Sequence, residues 1–408
     1  MSDFGGVKIN KIGGGLGRRN PSTDGVCGMV IERPLHGDPG EDQVFRIAQL
    51  SDVTSLGLSV SNDLSAGISA YYQISEFFRL SPSGVLYIKF VVSAVEDKIF
   101  GFAEGGCIFD LIKGTRNGEK IKMVGVVFKD ASQRDNSLTV AKAQDLVDNF
   151  LADNVYIDSI LLGDVYMAYT LDLRTLGCPN VSVVIGVDNA AFNMFNSSGI
   201  PAVGSALGML SVRKVNENLG SIDIANKPET AKGKQNYSLT DAAKQRWEVA
   251  RLTYGTEVNS LTQTEKTALK DKGYIFAGGY EGYPGIYFNG SATCTENSDD
   301  FSSIERNRTW NKAARYVIEA LTPKINSTIK IDAATGYIKS STIAAWETAV
   351  KSKINNMLAD DECSAIDVYI DPKQNVLSGS PIKVSIKITP DGIAEAIEVD
   401  LGFKNPFA

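Results

Sequence analysis

The clearest hydrophobic periodicity lies in the last hundred residues. In "IERNRTWNKAARYVIEAL", Trp310, Ala314, Val317 and Leu321 recur at the spacing of one helix face, which predicts a helix with these four inward. Arg308, Lys312 and Arg315 form a basic stripe beside that face. "STIAAWETAVKSKINNML" predicts a second helix with Trp346, Val350, Met357 and Leu358 inward, and Glu347 and Lys351 have i,i+4 spacing. "SAIDVYID" reads as a strand. In "PIKVSIKITPDGIAEAIEVDLGF" the period changes to two. Ile382, Val384, Ile386 and Ile388 alternate with Lys383, Ser385 and Lys387, and Ile393, Ile397, Val399 and Leu401 share one parity after "TPDG". A hairpin with all of them on one face sets Ile388 opposite Ile393, Val384 opposite Ile397 and Lys383 opposite Glu398.

Upstream, the pattern alternates between strands and helices. "GVCGMVIERP", "GVLYIKFVVS", "KIKMVGVVF", "IDSILLG" and "VSVVIGVD" read as short apolar strands. Between them, Leu64, Ile68, Tyr71 and Phe78 fall at helical spacing, as do Ala143, Leu146, Val147 and Leu151. "PAVGSALGMLSVRKV" predicts a helix with Pro201 at its start. Thr262 and Glu265 have the spacing of a capping box. "YIFAGGYEGYPGIYFNG" reads as two strands joined by a Gly/Pro turn. This alternation predicts a βαβ layer with a partly parallel sheet.

Composition narrows the function more by exclusion than by indication. A chain of 408 residues predicts more than one domain. The net charge of −7 argues against a nucleic-acid binder. There is no apolar run of about 18 residues or more, so no membrane insertion is expected. With no signal-type N-terminus, synthesis in the cytoplasm is expected. The five cysteines are far apart and lack C-x-x-C spacing, which fits reduced thiols in packing roles.

No catalytic or cofactor motif emerges. "GGGLGRR" puts Gly13, Gly15 and Arg18 where a dinucleotide loop needs three glycines, and Asn20-Pro21 follows in place of a helix. His36 is the single histidine and sits in the turn-rich "RPLHGDPG", leaving little basis for a metal cluster or a Ser-His-Asp array. The acidic pairs Asp299-Asp300 and Asp360-Asp361 fall at element ends. The basic stripe is either a solvated face or a surface that docks on acidic groups. Val7, Ile9 and Ile12 form a short strand-like segment between Gly5-Gly6 and Gly13–Gly17. Such a segment cannot fold alone and adds either to its own chain's sheet or to a neighbour's.

Three C-terminal stretches, "SIERNRTWNKAARYVIEALTPKINSTI", "GYIKSSTIAAWE" and "ECSAIDVYIDPKQNVLSGSPIKVSIKITPDGIAEAIEVDLGF", resemble the C-terminal domain of contractile tail sheath proteins. That family includes phage tail sheaths, especially the Mu-like and Bacteroidetes-type branch, and sheaths of contractile injection systems. "GVCGMVIERPLHGDP" and "DVTSLGL…SAYYQISEFFRLSPSGVLYIKFV" resemble its N-terminal part in the order strand, short helix, long helix, strand. The resemblance covers roughly the first 95 and the last 105 residues.

The resemblance implies a multi-domain α/β (mixed α+β) chain. Residues 1–20 form an arm, residues 21–95 and 301–408 combine into a core domain, and residues 96–300 form an inserted, outward-facing α/β domain. It implies stacked hexameric rings around a tail tube, linked by strand exchange through both termini, that contract to drive the tube through a target envelope. The partners implied are further copies of the chain, the tube protein, and baseplate and tail terminator proteins, in a virion tail or a cytoplasmically assembled injection particle, with no cofactor. The interface residues expected are Val7, Ile9, Ile12, Arg308, Lys312, Arg315, Val384, Ile386, Ile397 and Val399. Two other readings of the residues remain: an enzyme using the central α/β layer, and a non-contractile structural or adhesion module.

Overall fold

The computed structural model describes residues 23–33, 43–92, 95–116, 118–129, 136–164, 171–195, 199–378 and 380–403. The chain forms two compact units, Met1–Asn311 and Lys312–Ala408.

The first unit carries eleven strands among its described residues: β1 (Cys27–Glu32), β2 (Val44–Ile47), β3 (Leu86–Val91), β4 (Met123–Val127), β5 (Ser159–Gly163), β6 (Val181–Val184), β7 (Gly186–Asp188), β8 (Ala250–Leu252), β9 (Tyr274–Ile275), β10 (Ala277–Tyr280) and β11 (Tyr283–Phe288). Its helices are α1 (Leu50–Ser55), α2 (Val60–Ala66), α3 (Ala70–Leu80), α4 (Glu96–Phe100), α5 (Cys107–Lys113), α6 (Asn136–Ala152), α7 (Asn189–Met194), α8 (Val203–Val212) and α9 (Gln263–Asp271). The boundary between units falls within α10 (Ile304–Leu321). The second unit adds α11 (Ser340–Ala359), β12 (Ala365–Ile370) and β13 (Val384–Thr389).

The main sheet has seven strands in the order β2-β3-β1-β4-β5-β6-β9. All its neighbours are parallel except β2 against β3. Strands β3, β4, β5 and β6 are buried at every position, as parallel strands covered on both faces must be. This explains the unbroken apolar runs in the sequence. The sheet takes strands from both sides of residue 95, so residues 96–300 share their main sheet with the segment before them. The separate inserted domain expected at that boundary does not match this topology, because β1 pairs directly with both β3 and β4.

Helix α8 lies on β4 and β5, where glycines leave room for it. A Cβ on Gly125 would stand 2.7 Å from Val203 Cγ1, and one on Gly163 would stand 3.0 Å from Val203 Cγ2. On α8 itself, a Cβ at Gly204 would meet the Gln73 carbonyl oxygen at 2.1 Å. The backbones of α3 and α8 therefore touch. Gln73 completes the joint: its Nε2 donates to Pro201 O at 2.7 Å and its Oε1 accepts from Gly204 N at 2.7 Å.

Several local expectations hold and several are corrected. The Thr262–Glu265 capping box is formed, and the Tyr/Gly-rich stretch is the antiparallel pair β10–β11. The single face drawn through Leu64, Ile68, Tyr71 and Phe78 is broken, because Gly67 ends α2 in the left-handed conformation at φ 62°, which leaves Leu64 on α2, Ile68 in the link and Tyr71 and Phe78 on α3. Leu64 is consequently exposed. On α6, Ala143, Leu146 and Val147 are buried, but Phe150 takes the inward place expected of Leu151. Among the described residues, no helix is long and apolar enough to cross a membrane.

In the second unit, β12 and β13 form an antiparallel pair beside α11. Val350, Ile354 and Met357 of α11 form its core with Ala313, Ala320, Cys363 and Val368.

Candidate assembly interface

The register of the second unit's sheet sets Ile366 opposite Ile388, Val368 opposite Ile386 and Ile370 opposite Val384. These six residues line the face that packs on α11, with Val368 and Ile370 fully buried and the others half-buried. The opposite face shows Asp367 across from Lys387 and Tyr369 across from Ser385. The alternation expected for β13 is therefore present, but its partner is β12.

The hairpin that paired 382–388 with 393–401 is not formed. After Thr389 the chain carries no strand or helix through Phe403. Ser364 Oγ donates to Asp391 Oδ1 at 2.6 Å at the start of this segment. Beyond it, Ile397 is 80% exposed, Val399 76% and Leu401 96%. The physical reason is that β12 already covers the apolar face of the second unit beside β13. Period-two apolar residues without a core of their own thus lie in water, which is unusual for side chains of this size.

The expected basic stripe is also corrected. Arg308 is fully buried. Its Nη1 donates to Lys214 O and its Nη2 to Arg213 O, both at 3.2 Å. Asn307 Nδ2 donates to Pro179 O at 2.8 Å, and Asn311 Nδ2 reaches Asp158 Oδ1 at 3.0 Å. Glu305 accepts from Asn218 Nδ2 at 2.9 Å and from Ser291 Oγ. The first half of α10 is thus a polar bolt within the first unit. Lys312 is buried against Glu362 in the second unit, and Arg315 is half-buried. None of the three provides a basic docking stripe. Trp310, expected inward, is 43% exposed and rests on Phe301 and Tyr156. The sequence signal missed here is the run of polar residues on both sides of this helix.

Val384 and Ile386 face their own unit's core, while Ile397 and Val399 are free of one. Val7, Ile9 and Ile12 lie outside the described residues, as does His36.

Polar groups inside the first unit are arranged for structure. Glu76 Oε2 accepts from Arg79 Nη2 at 2.7 Å, Ser205 Oγ at 3.1 Å and Trp247 Nε1 at 3.2 Å. Asp188 accepts from the Trp247 and Ala190 amides at 2.9 and 3.1 Å. Both carboxylates are closed to water, and their donors hold α3, α7 and α8 to the 246–247 turn. Burial pushes the Cys178 thiol up to about 11 and raises Cys27, Cys294 and Cys363 as well, which suppresses the thiolate a nucleophile needs. Among the described residues, no three metal-ligating side chains gather.

The sequence matches the DUF2586 N-terminal domain over residues 4–292 and the DUF2586 C-terminal domain over residues 300–408. A comparison with curated proteins found no match. Among solved structures, a chain of the anti-feeding prophage baseplate aligns with a TM-score of 0.60 at 13% identity, over 99% of this chain and 100% of that one. The contracted helical sheath of the anti-feeding prophage aligns at 0.60 and 15% identity, over 99% of each chain. The contracted sheath complex of the extracellular contractile injection system PVC aligns at 0.58 and 12% identity, over 100% of this chain and 99% of that one. The fold is therefore shared with chains of these assemblies, and the chain belongs to the DUF2586 family.

Proposed function

We propose that this protein is the repeating subunit of a contractile sheath. It polymerises as stacked hexameric rings around a tail tube, and contraction drives the tube through a target cell envelope. The observation that carries the reading is the strand-patterned segment 390–403, with Ile397, Val399 and Leu401 exposed, in a chain that shares its fold with sheath-complex subunits.

The energetics favour exchange between subunits. Burying Ile397, Val399 or Leu401 contributes about 2 kcal/mol each. Fixing each residue's backbone costs about 1–2 kcal/mol. The segment therefore gains only by adding as a whole strand, with ladder hydrogen bonds, to a sheet edge that already exists. The β12–β13 pair offers such edges, since among the described residues it is two-stranded. Charge supports the side next to β13: residues 390–403 carry Asp391, Glu395, Glu398 and Asp400 without a Lys or Arg, and Lys383 and Lys387 are exposed.

The N-terminal arm with Val7, Ile9 and Ile12 is the second exchanged strand in this reading, and the glycines around it are its hinges. The partners are further copies of the chain, a tube protein, and baseplate and terminator proteins, in a virion tail or injection particle. The role is structural: contraction draws on better interfaces in the contracted lattice and needs no nucleotide.

The test is electron microscopy of the concentrated protein, alone and with its tube protein, beside a Val7→Pro, Ile9→Pro variant that lacks ladder donors. Sixfold helical sheaths from the parent and folded, non-polymerising monomer from the variant are expected. Saturable nucleotide turnover by a protein that never polymerises would overturn the reading in favour of an enzyme.

A further inference from the structure

Cys178 and Cys294 stand far apart in sequence and directly opposite each other in space, as an isolated antiparallel bridge. The Cys178 amide donates to the Cys294 carbonyl at 2.7 Å. The Cys294 amide donates to the Val181 carbonyl at 2.8 Å, so the two cysteines share one of the two bonds of a regular hydrogen-bonded pair. Residues opposite each other in antiparallel pairing hold their Cα atoms about 4.5–5.5 Å apart. Two half-cystines join without backbone movement at separations of about 4.4–6.8 Å. The remaining cysteines lie elsewhere: Cys27 in β1, Cys107 at the start of α5 and Cys363 in the second unit.

The surroundings favour a link at this place. Cys178 lies two residues after the 3-10 turn Leu173–Leu176 and just before β6. Cys294 belongs to the irregular stretch that leads into α10. Arg174 already ties the two together, with Nη1 donating to Thr293 O at 3.2 Å and to Thr295 O and Ser302 O at 3.1 Å. A covalent bond here would reinforce a contact that the backbone has made. Both thiols are free in the structure, and both are buried.

We infer that Cys178 and Cys294 form a reversible cross-strand disulfide when the protein meets an oxidising thiol–disulfide milieu. The bond is a redox staple between the approach to β6 and the approach to α10. It is absent in a reducing compartment, where thiols persist.

The oxidant is a small disulfide such as oxidised glutathione. The thiolate of Cys178, the less deeply buried of the two residues, attacks one glutathione sulfur and expels the other glutathione as a thiolate. The thiolate of Cys294 then attacks the Cys178 sulfur of the mixed disulfide and expels the second glutathione. Two protein thiols lose two electrons and two protons, and one glutathione disulfide becomes two glutathione thiols. Burial raises both thiols, so the exchange is slow at neutral pH and quickens as the pH rises toward 9.

The experiment uses the full-length protein in two preparations. One is treated while folded with oxidised glutathione at about pH 9, where thiolate is more abundant. The other is refolded from denaturant in a glutathione redox buffer. Peptide mapping without reductant should find a 178–294 linked peptide in at least one preparation. The oxidised protein should melt about 5 °C higher than the reduced one, a gain that dithiothreitol removes. Cys178→Ser and Cys294→Ser should each abolish the link and the gain, while Cys27→Ser leaves both in place. Absence of the linked peptide from both preparations overturns the inference. So does a linked protein that melts lower than the reduced one, because the bond then opposes the native geometry.

Discussion

Lys312 donates from Nζ to Glu362 Oε1 at 2.7 Å, with both side chains nearly closed off from water. The pair joins the second half of α10 to the turn that follows α11. A lysine in an apparent basic stripe is thereby an internal anchor of the second unit. Removing one partner of a buried ion pair costs about 3–5 kcal/mol. Lys312→Ala should destabilise the second unit by about that much in urea unfolding, with little dependence on salt. Lys312→Met combined with Glu362→Leu should recover most of the loss. A single variant as stable as the parent would return Lys312 to a solvated face.

The contact of α3 with α8 depends on the missing side chain at Gly204. A methyl group there would stand 2.1 Å from the Gln73 carbonyl oxygen, which is backbone and cannot swing away. Gly204→Ala should cost about 3 kcal/mol or more, at the upper end of overpacking effects. Gly392→Ala, where an added Cβ meets nothing, should change stability by less than about 0.5 kcal/mol. The check is chemical unfolding of both variants beside the parent.

Asp63 is fully buried and accepts from the Tyr72 amide at 3.0 Å. Burial raises its carboxyl from 3.8 to about 6 in spite of that bond. The folded state thus holds the proton more tightly than the unfolded one. The resulting stability is fully present below about pH 4 and is lost as the pH rises through 6, at most about 3 kcal/mol. Asp63→Asn should flatten the stability profile between pH 4 and 7 relative to the parent. An identical profile would show that Asp63 titrates normally.

Much of the fold was legible because its signals are local. The buried runs at 86–91 and 123–127 announced parallel strands, and the Thr262–Glu265 spacing announced a cap. Partner choice was less legible. Alternation in Val384, Ile386 and Ile388 fixes which face is inward, but it does not say whether 365–370 or 393–401 lies alongside. Arg308 was misread for a different reason. Its partners are the carbonyls of Arg213 and Lys214, and a carbonyl carries no mark in the sequence. The same holds for Gly204, whose neighbour is backbone. For the assembly surface, the exposed parity of Ile397 and Val399 was visible. Their lack of a home within the chain required the structure.

On the proposed function, residues 390–403 serve another copy of the chain. Truncation after Thr389 removes Ile393, Ile397, Val399 and Leu401 and leaves β12, β13 and the core of Val350, Ile354 and Met357 in place. The decisive measurement is negative-stain microscopy of the truncated and full-length proteins at matched concentration, with circular dichroism and melting on the same samples. The expected result is a truncated protein with parental secondary structure, stability within about 0.5 kcal/mol of the parent, and no helical polymer. Normal sheaths from the truncated protein, or an unfolded truncated monomer, would contradict it.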